Sequence, residues 1–220
     1  MKTVILMSLA ASILFGQALP ADIDKESYSR LPMIKRATLS GEALAVYDAV
    51  VGKDTEGKPR PTPPLGPAAT SLYSLGVAAP MDVLNKFIRN IKVGPAMYQL
   101  CSIIAAREFD EPYEWNSHEA GARRAGVAEK TIQAVKFNRG LEDLPAKEAL
   151  VVEFGRALFR NEHRVSSELY ARVVKEFGQE GMYELTSAMA DYAMAAIMLH
   201  AVDQHVPNPT PELMLPSIKR

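Results

Sequence analysis

The sequence predicts an all-α fold of about seven to eight helices. Three observations carry this. Apolar residues recur at helical spacing in almost every periodic segment of the chain. Alternating runs of β-branched and aromatic residues, which would mark strands, are nearly absent. Proline and glycine punctuate the periodic segments as helix starts and stops. At 48% hydrophobic, 23% charged and net charge −1 over 220 residues, the composition is that of an ordinary globular protein. It excludes a disordered tail, a collagen-like repeat and a disulfide scaffold. The lack of a basic excess argues against nucleic acid as a partner.

The first element, residues 1–18, reads as a secretory signal. Lys2 supplies the positive start, Thr3 to Phe15 form an apolar stretch, and Gly16 and Ala18 stand at the −3 and −1 positions of a cleavage site. A secreted or periplasmic protein follows from this reading. No second membrane segment is expected, because the apolar stretch 185–202 carries Asp191 and His200 and so reads as a buried helix. The folded domain is placed at residues 19–206 and a proline-rich C-terminal tail at 207–220.

Ser40 is suited to cap a helix running to about Val51, with Glu42 in its first turn. A loop from Lys53 to Pro67 follows. It holds Pro59, Pro61, Pro63, Pro64 and Pro67, which lack the N–H that helices and ladders need. Such a loop is either a stiff connector or the lid or wall of a pocket. Helices are then predicted over residues 81–90 and 95–107, the second with Pro95 in its first turn. A break at residues 108–112 precedes a helix over 113–125 that ends at Gly126. Further helices are read at 129–138, 145–160, 166–177 and 181–202. In the segment 145–160, Ala146, Leu150, Phe154 and Leu158 make one apolar face. The last segment is apolar nearly all round, as in a helix central to a core or lying in a subunit interface. The tail beyond His205, with four prolines, is expected to wrap over the surface.

One cluster stands out chemically. Residues 108–118 gather acids, Tyr113, the single tryptophan Trp115 and His118 around a helix start. Glu114 and His118 are four apart and share a helix face. A carboxylate beside an imidazole orients its tautomer and raises its basicity, as a general base requires. The bland alternative is a helix-stabilising pair. As a metal site, Glu114 and His118 would need a third ligand from His200, Asp203 or His205; HExxH is absent and no two histidines have ligand spacing, so no metal is expected. Cys101, the single cysteine, lies within an apolar helix and reads as a packing residue. GxSxG, GxxxxGK[ST] and GxGxxG are all missing.

The residues Tyr98-Gln-Leu, Arg107-Glu, Tyr113-Glu-Trp-x-x-His118-x-x-x-Ala122-x-x-x-Gly126-Val and Ile132-x-Ala134 resemble the carboxymuconolactone decarboxylase family. That family shares an all-α fold with the AhpD-type alkylhydroperoxidases. The resemblance implies an AhpD-like helical domain over roughly residues 30–202. It also implies homo-oligomers, trimers or multiples of them. In the peroxidase branch a glutamate, a CxxC pair and a histidine act together. His118 matches that histidine, but the two thiol positions fall on Glu111 and Glu114 and the glutamate position on Gln99. Disulfide-based peroxide reduction lacks its sulfurs here. The decarboxylase branch fits better. Its namesake reaction runs without a cofactor, so none is expected.

On that model His118 moves the proton and Glu114 orients it. Tyr113 or Gln99 donates a hydrogen bond to the developing oxyanion. Arg107 or Arg123 binds a substrate carboxylate, and Trp115 forms an apolar wall. The expected activity is a lyase or isomerase reaction on a small carboxylated or lactone-like molecule. Two other readings remain. One is a non-catalytic helical oligomer or ligand-binding protein, in which His118 would sit in a closed core. The other, weaker, is a thiol peroxidase using Cys101.

Overall fold

The computed structural model describes residues 19–160, 163–212 and 214–218. The signal reading falls on residues 1–18 and lies outside the described residues. Among the described residues no helix is long and apolar enough to cross a membrane. Among the described residues a 3₁₀ turn at Arg36–Thr38 precedes eight α-helices: α1 Gly41–Val51, α2 Pro67–Ser71, α3 Leu75–Ile88, α4 Pro95–Glu108, α5 Pro112–Arg124, α6 Glu129–Lys136, α7 Ala146–Phe159 and α8 Ser167–Ala201. No strand occurs among the described residues, only an isolated bridge between Lys53 and Pro59. The predicted all-α fold is what the chain adopts.

The centre of the fold is α4. Pro95 opens it where a missing N–H costs nothing. Eleven of its residues, from Met97 to Glu108, are buried. A helix buried on every side is wrapped by neighbours, and α5, α7 and α8 surround it. Small residues permit the close approach: a Cβ on Gly155 would stand 2.6 Å from Cγ2 of Ile104. The main core joins Leu100, Ile103 and Ile104 of α4 to Trp115, Ile132, Val151, Phe154, Leu185 and Met189.

The sequence reading of two helices at 166–177 and 181–202 corresponds to the two arms of α8. Gly178, at φ 72°, breaks the helix between them. Ser166 caps the first arm, its Oγ accepting from the Leu169 N–H at 3.1 Å. The second arm buries Leu185, Ala188, Met189, Tyr192, Ala196 and Leu199, but Tyr183 and Ile197 are 71% and 56% exposed. The fully wrapped helix is therefore α4 rather than this one.

Two features differ from the sequence reading. Helix α3 begins at Leu75, not residue 81, and carries Pro80 in its interior. Proline there removes one intrahelical bond, but the flanking turns hold the helix together. Helix α2 is five residues long, too short to leave a periodic signal.

The predicted tail does wrap the surface. Arg107 Nη1 donates to the Pro216 carbonyl at 2.9 Å, Lys136 Nζ donates to the Glu212 carbonyl at 2.7 Å, and Leu215 packs on the core. The segment before α1 is tied to the end of α8. Gln204 Nε2 donates to the carbonyls of Ser27 and Tyr28 at 3.1 and 3.2 Å, and the His205 N–H donates to the Tyr28 carbonyl at 2.7 Å.

Candidate functional site

The start of α5 is set by chemistry local to residues 110–113. Asp110 takes a left-handed conformation (φ 54°) and turns the chain. The buried Glu111 carboxylate then accepts from the Tyr113 N–H at 2.7 Å, and Pro112 occupies the first turn. This fixes the rotation of α5, so that Tyr113, Glu114, Ser117 and His118 face one cleft. The cleft has a volume of about 360 Å³, within the range of small-molecule sites. Helix α3 supplies Asn85 and Arg89 to its wall, and α8 supplies Asp191 and Tyr192.

The proline loop and α2 close another side through Pro64, Leu65, Pro67 and Ala68. Of the two roles open to that loop, wall of a pocket is the one it takes. The loop is held by the Asp54 carboxylate, which accepts from the N–H groups of Glu56 and Lys58 at 2.9 and 2.8 Å. The Tyr47 hydroxyl also donates to the Arg60 carbonyl at 3.1 Å. Gly66, at φ +81°, lies against the Tyr113 ring so closely that a Cβ would clash with its Cε1 edge.

His118 is held from both sides. Its Nδ1 lies 2.9 Å from Gln99 Oε1. With the amide oxygen as acceptor, Nδ1 carries the hydrogen and Nε2 keeps its lone pair; this tautomer is assigned from the hydrogen-bond network. Nε2 stands 3.5 Å from Glu114 Oε2. The Tyr192 ring packs edge-on at 4.6 Å between centroids, and the Tyr98 hydroxyl hydrogen-bonds that of Tyr192. Gln99 has room because residue 121 is glycine: a Cβ there would come within 2.7 Å of Gln99 Oε1.

Burial decides the charge state of this pair. It pushes the Glu114 carboxyl up to about 8, with the neighbouring Glu111 and Asp191 acids adding to the rise. Burial, and then the Arg89 charge, holds His118 down at about 4. By distance alone the two groups pass for an ion pair, but 3.5 Å is long for a charge-assisted bond and the surroundings disfavour separated charge. Near neutral pH the proton therefore resides on Glu114 and the imidazole is neutral. This corrects the sequence expectation: Glu114 does not raise the basicity of His118, and the group that orients the ring at Nδ1 is Gln99. Burial also pushes the Tyr113 hydroxyl up to about 12, so it remains a donor.

The structure thus brings together Tyr113, Glu114 and His118 on the cleft, with Gln99 directly behind His118. It places the other three predicted residues elsewhere. Trp115 is fully buried one helical step round from Glu114, and its Nε1–H donates to Glu119 at 2.9 Å, so it forms no wall of the cleft. Arg107 is buried at the end of α4, where it holds the C-terminal tail and pairs with Asp110. Arg123 bridges Glu119 and Glu129 at 2.8 and 2.7 Å. Both arginines are committed to protein partners and neither reaches the cleft. His200, Asp203 and His205 line a separate cavity beside Glu111, away from His118. Among the described residues no group of three histidines, cysteines or acids is arranged to hold a metal ion.

Cys101 is fully buried in α4, its thiol pushed up by burial, and it does not line the cleft. The residues missed at sequence level are Asn85, Arg89, Asp191 and Tyr192. Asp82, Asn85 and Arg89 recur at spacings of three and four along α3, a polar stripe that reads equally well as a solvated face. Asp191 is the acid interrupting an apolar helix, and that interruption was its signal.

No family model matches this sequence, and no curated protein does. Solved structures do match. One is an uncharacterized peroxidase-related protein from Ralstonia eutropha JMP134, described as an alkylhydroperoxidase AhpD core. It is 14% identical with a TM-score of 0.64, over 86% of this chain and 95% of that one. Another is a cysteine-to-alanine variant of the debrominase Bmp8 in complex with 2,3,4-tribromopyrrole. It is 14% identical with a TM-score of 0.59, over 80% of this chain and 90% of that one. At this identity the likeness establishes the fold, which is AhpD-like and all-α.

Proposed function

We propose that this AhpD-like protein is a cofactor-free acid–base enzyme, a lyase or isomerase acting on a small carboxylated or lactone-like molecule. One observation carries the reading. A neutral imidazole with a free Nε2 and a protonated carboxyl lie 3.5 Å apart on the wall of a cleft large enough for such a molecule. A base that is unprotonated and an acid that is protonated at the same pH are what proton transfer at carbon requires.

In an isomerisation, His118 Nε2 removes the proton alpha to a carbonyl, leaving an enolate. The Tyr113 hydroxyl donates to the enolate oxygen and Glu114 returns a proton to a different carbon. In a decarboxylation, the carbon–carbon bond to the carboxylate breaks, its electron pair forms the same enolate and carbon dioxide leaves. Glu114 then protonates the carbanionic carbon. Gln99 keeps the imidazole in the competent tautomer throughout.

The fold neighbour that holds tribromopyrrole accommodates a small ring, in keeping with this substrate class. The lining of a cleft by His118 favours this reading over a non-catalytic helical oligomer with that residue in a closed core. A thiol peroxidase would rest on Cys101, which is buried away from that cleft.

The test is solvent deuterium exchange at carbon, followed by NMR across a panel of γ-lactones and their carboxylates. His118→Ala is expected to abolish exchange and turnover while retaining full helicity by circular dichroism. A folded variant with unchanged turnover removes His118 from the mechanism. We further propose that the mature protein is exported and works as a homo-oligomer, which cell fractionation and sedimentation of the purified chain examine directly.

A further inference from the structure

We infer that Arg89 is the carboxylate anchor of the cleft, and that it selects small molecules bearing a carboxylate apart from the reacting carbonyl. This deepens the acid–base reading by naming what the substrate must carry. Arg89 caps the C-terminal end of α3 and lines the same cleft as Glu114 and His118. The other cation on the wall, Lys86, is engaged: its Nζ lies 2.6 Å from Asp82 Oδ2 and donates to the Ala49 carbonyl at 3.2 Å. Arg36, Arg123, Arg160 and Arg172 are each paired with carboxylates. Arg89, by contrast, donates its backbone N–H to the Asn85 carbonyl at 3.0 Å, and its guanidinium makes no hydrogen bond or ion pair among the described residues.

The groups facing it do not consume its donors. Glu114 and His118 are neutral near pH 7. Of the other two acids of the wall, Asp191 accepts from the Asn85 amide at 3.1 Å rather than from the guanidinium. Asp82 is held by Lys86. The cleft therefore combines an uncharged reacting pair with one uncommitted planar cation. A guanidinium fork binds a carboxylate through two parallel hydrogen bonds, which an ammonium does not reproduce. Arg89, Glu114, His118 and Asp191 line one cleft, and the Arg89 charge acts on all three of the others.

The experiment uses the full chain and two probes of one shape, benzoate and benzamide, with affinities measured by calorimetric titration. Wild type is expected to bind benzoate about tenfold or more tighter than benzamide, the scale of one directed charge contact. Arg89→Gln is expected to erase that preference. Arg89→Lys should restore only part of it, since it keeps the charge and loses the fork. His118→Ala should keep it, because anchoring does not depend on the acid–base step. Equal binding of the two probes to wild type, no saturable benzoate binding, or a preference that survives in Arg89→Gln would each overturn the assignment. The deuterium-exchange test of His118 is independent of these titrations. An enzyme that exchanges protons without a carboxylate preference refutes the anchor alone, whereas a carboxylate preference without exchange refutes the acid–base reading alone.

Discussion

Replacing Glu114 by glutamine changes how stability depends on pH, and the size of the change follows from burial. The carboxyl has an ordinary value of 4.5 and is pushed up to about 8 in the cleft wall. Between those values the folded chain keeps a proton that the unfolded chain has released, so stability falls as pH rises. At about 1.4 kcal/mol per pH unit, the span from 4.5 to about 8 amounts to on the order of 5 kcal/mol. His118 acts in the opposite sense over a lower span, from about 4 to its ordinary 6.5. There the unfolded chain binds a proton that the folded chain refuses, so stability rises with pH.

The two slopes offset each other between 4.5 and 6.5, and the Glu114 slope alone remains from 6.5 to about 8. Wild-type stability should therefore be level across the acidic range and fall above it. Glu114→Gln should rise to pH 6.5 and stay level thereafter, because only the His118 contribution survives. Urea unfolding followed by circular dichroism at a series of pH values gives both curves. The difference, wild type minus variant, should shrink by on the order of 5 kcal/mol from 4.5 to about 8. If it stays constant to within about 1 kcal/mol, Glu114 titrates as an ordinary surface acid and the neutral-pair description fails.

The same two groups shape the rate profile: kcat/KM should rise through about 4 as His118 loses its proton and fall through about 8 as Glu114 loses its own, and Glu114→Gln should lose the alkaline limb. Gly121→Ala should push Gln99 away from Nδ1 and lower kcat by about tenfold or more with little loss of stability, and Gln99→Leu should match it; a shift in Tm with unchanged kcat would refute the positioning role. Gly66→Ala should destabilise by roughly 1–3 kcal/mol through its positive φ and the Tyr113 ring beneath it, read by thermal unfolding. Arg107→Ala should lower stability by about 2–4 kcal/mol by releasing the Pro216 and Lys136 carbonyls, yet leave kcat unchanged, because the residue stands outside the cleft.

Helical periodicity reveals which residues share a face, but not which face meets a cavity. The pairing of Glu114 with His118 was therefore legible as an i, i+4 repeat, whereas central burial was expected of the segment 181–202 and belongs instead to α4. The choice between Tyr113 and Trp115 as cleft residues was not legible. It depends on the rotation of α5 fixed by the Glu111 cap and by packing against α4. Arginine identity carries no directional information either. Arg107, Arg123 and Arg89 look alike in sequence, and only the fold shows that the first two are already occupied. The sign of the His118 perturbation was missed for a related reason, since spacing reports a neighbouring carboxylate but not the desolvation that neutralises it. Pro80 concealed the first turn of α3 by mimicking a helix start.

The walls of the cleft come from two kinds of chain. The side chains proposed to handle the proton stand on α5, whose back is built into the core through Trp115. The opposite rim is drawn from residues 64–68, at the junction of α2 with a loop whose earlier part is fastened by the Asp54 turn and by Tyr47. On the proposed function, reactivity and admission are thereby encoded on separable pieces of sequence. That rim is an exchangeable cassette: grafting loops of other lengths between Gly52 and Gly66 would redraw the shape of the molecules admitted while the Gln99–His118–Glu114 relay stays in place, and it marks the segment to randomise when seeking a new substrate on this scaffold.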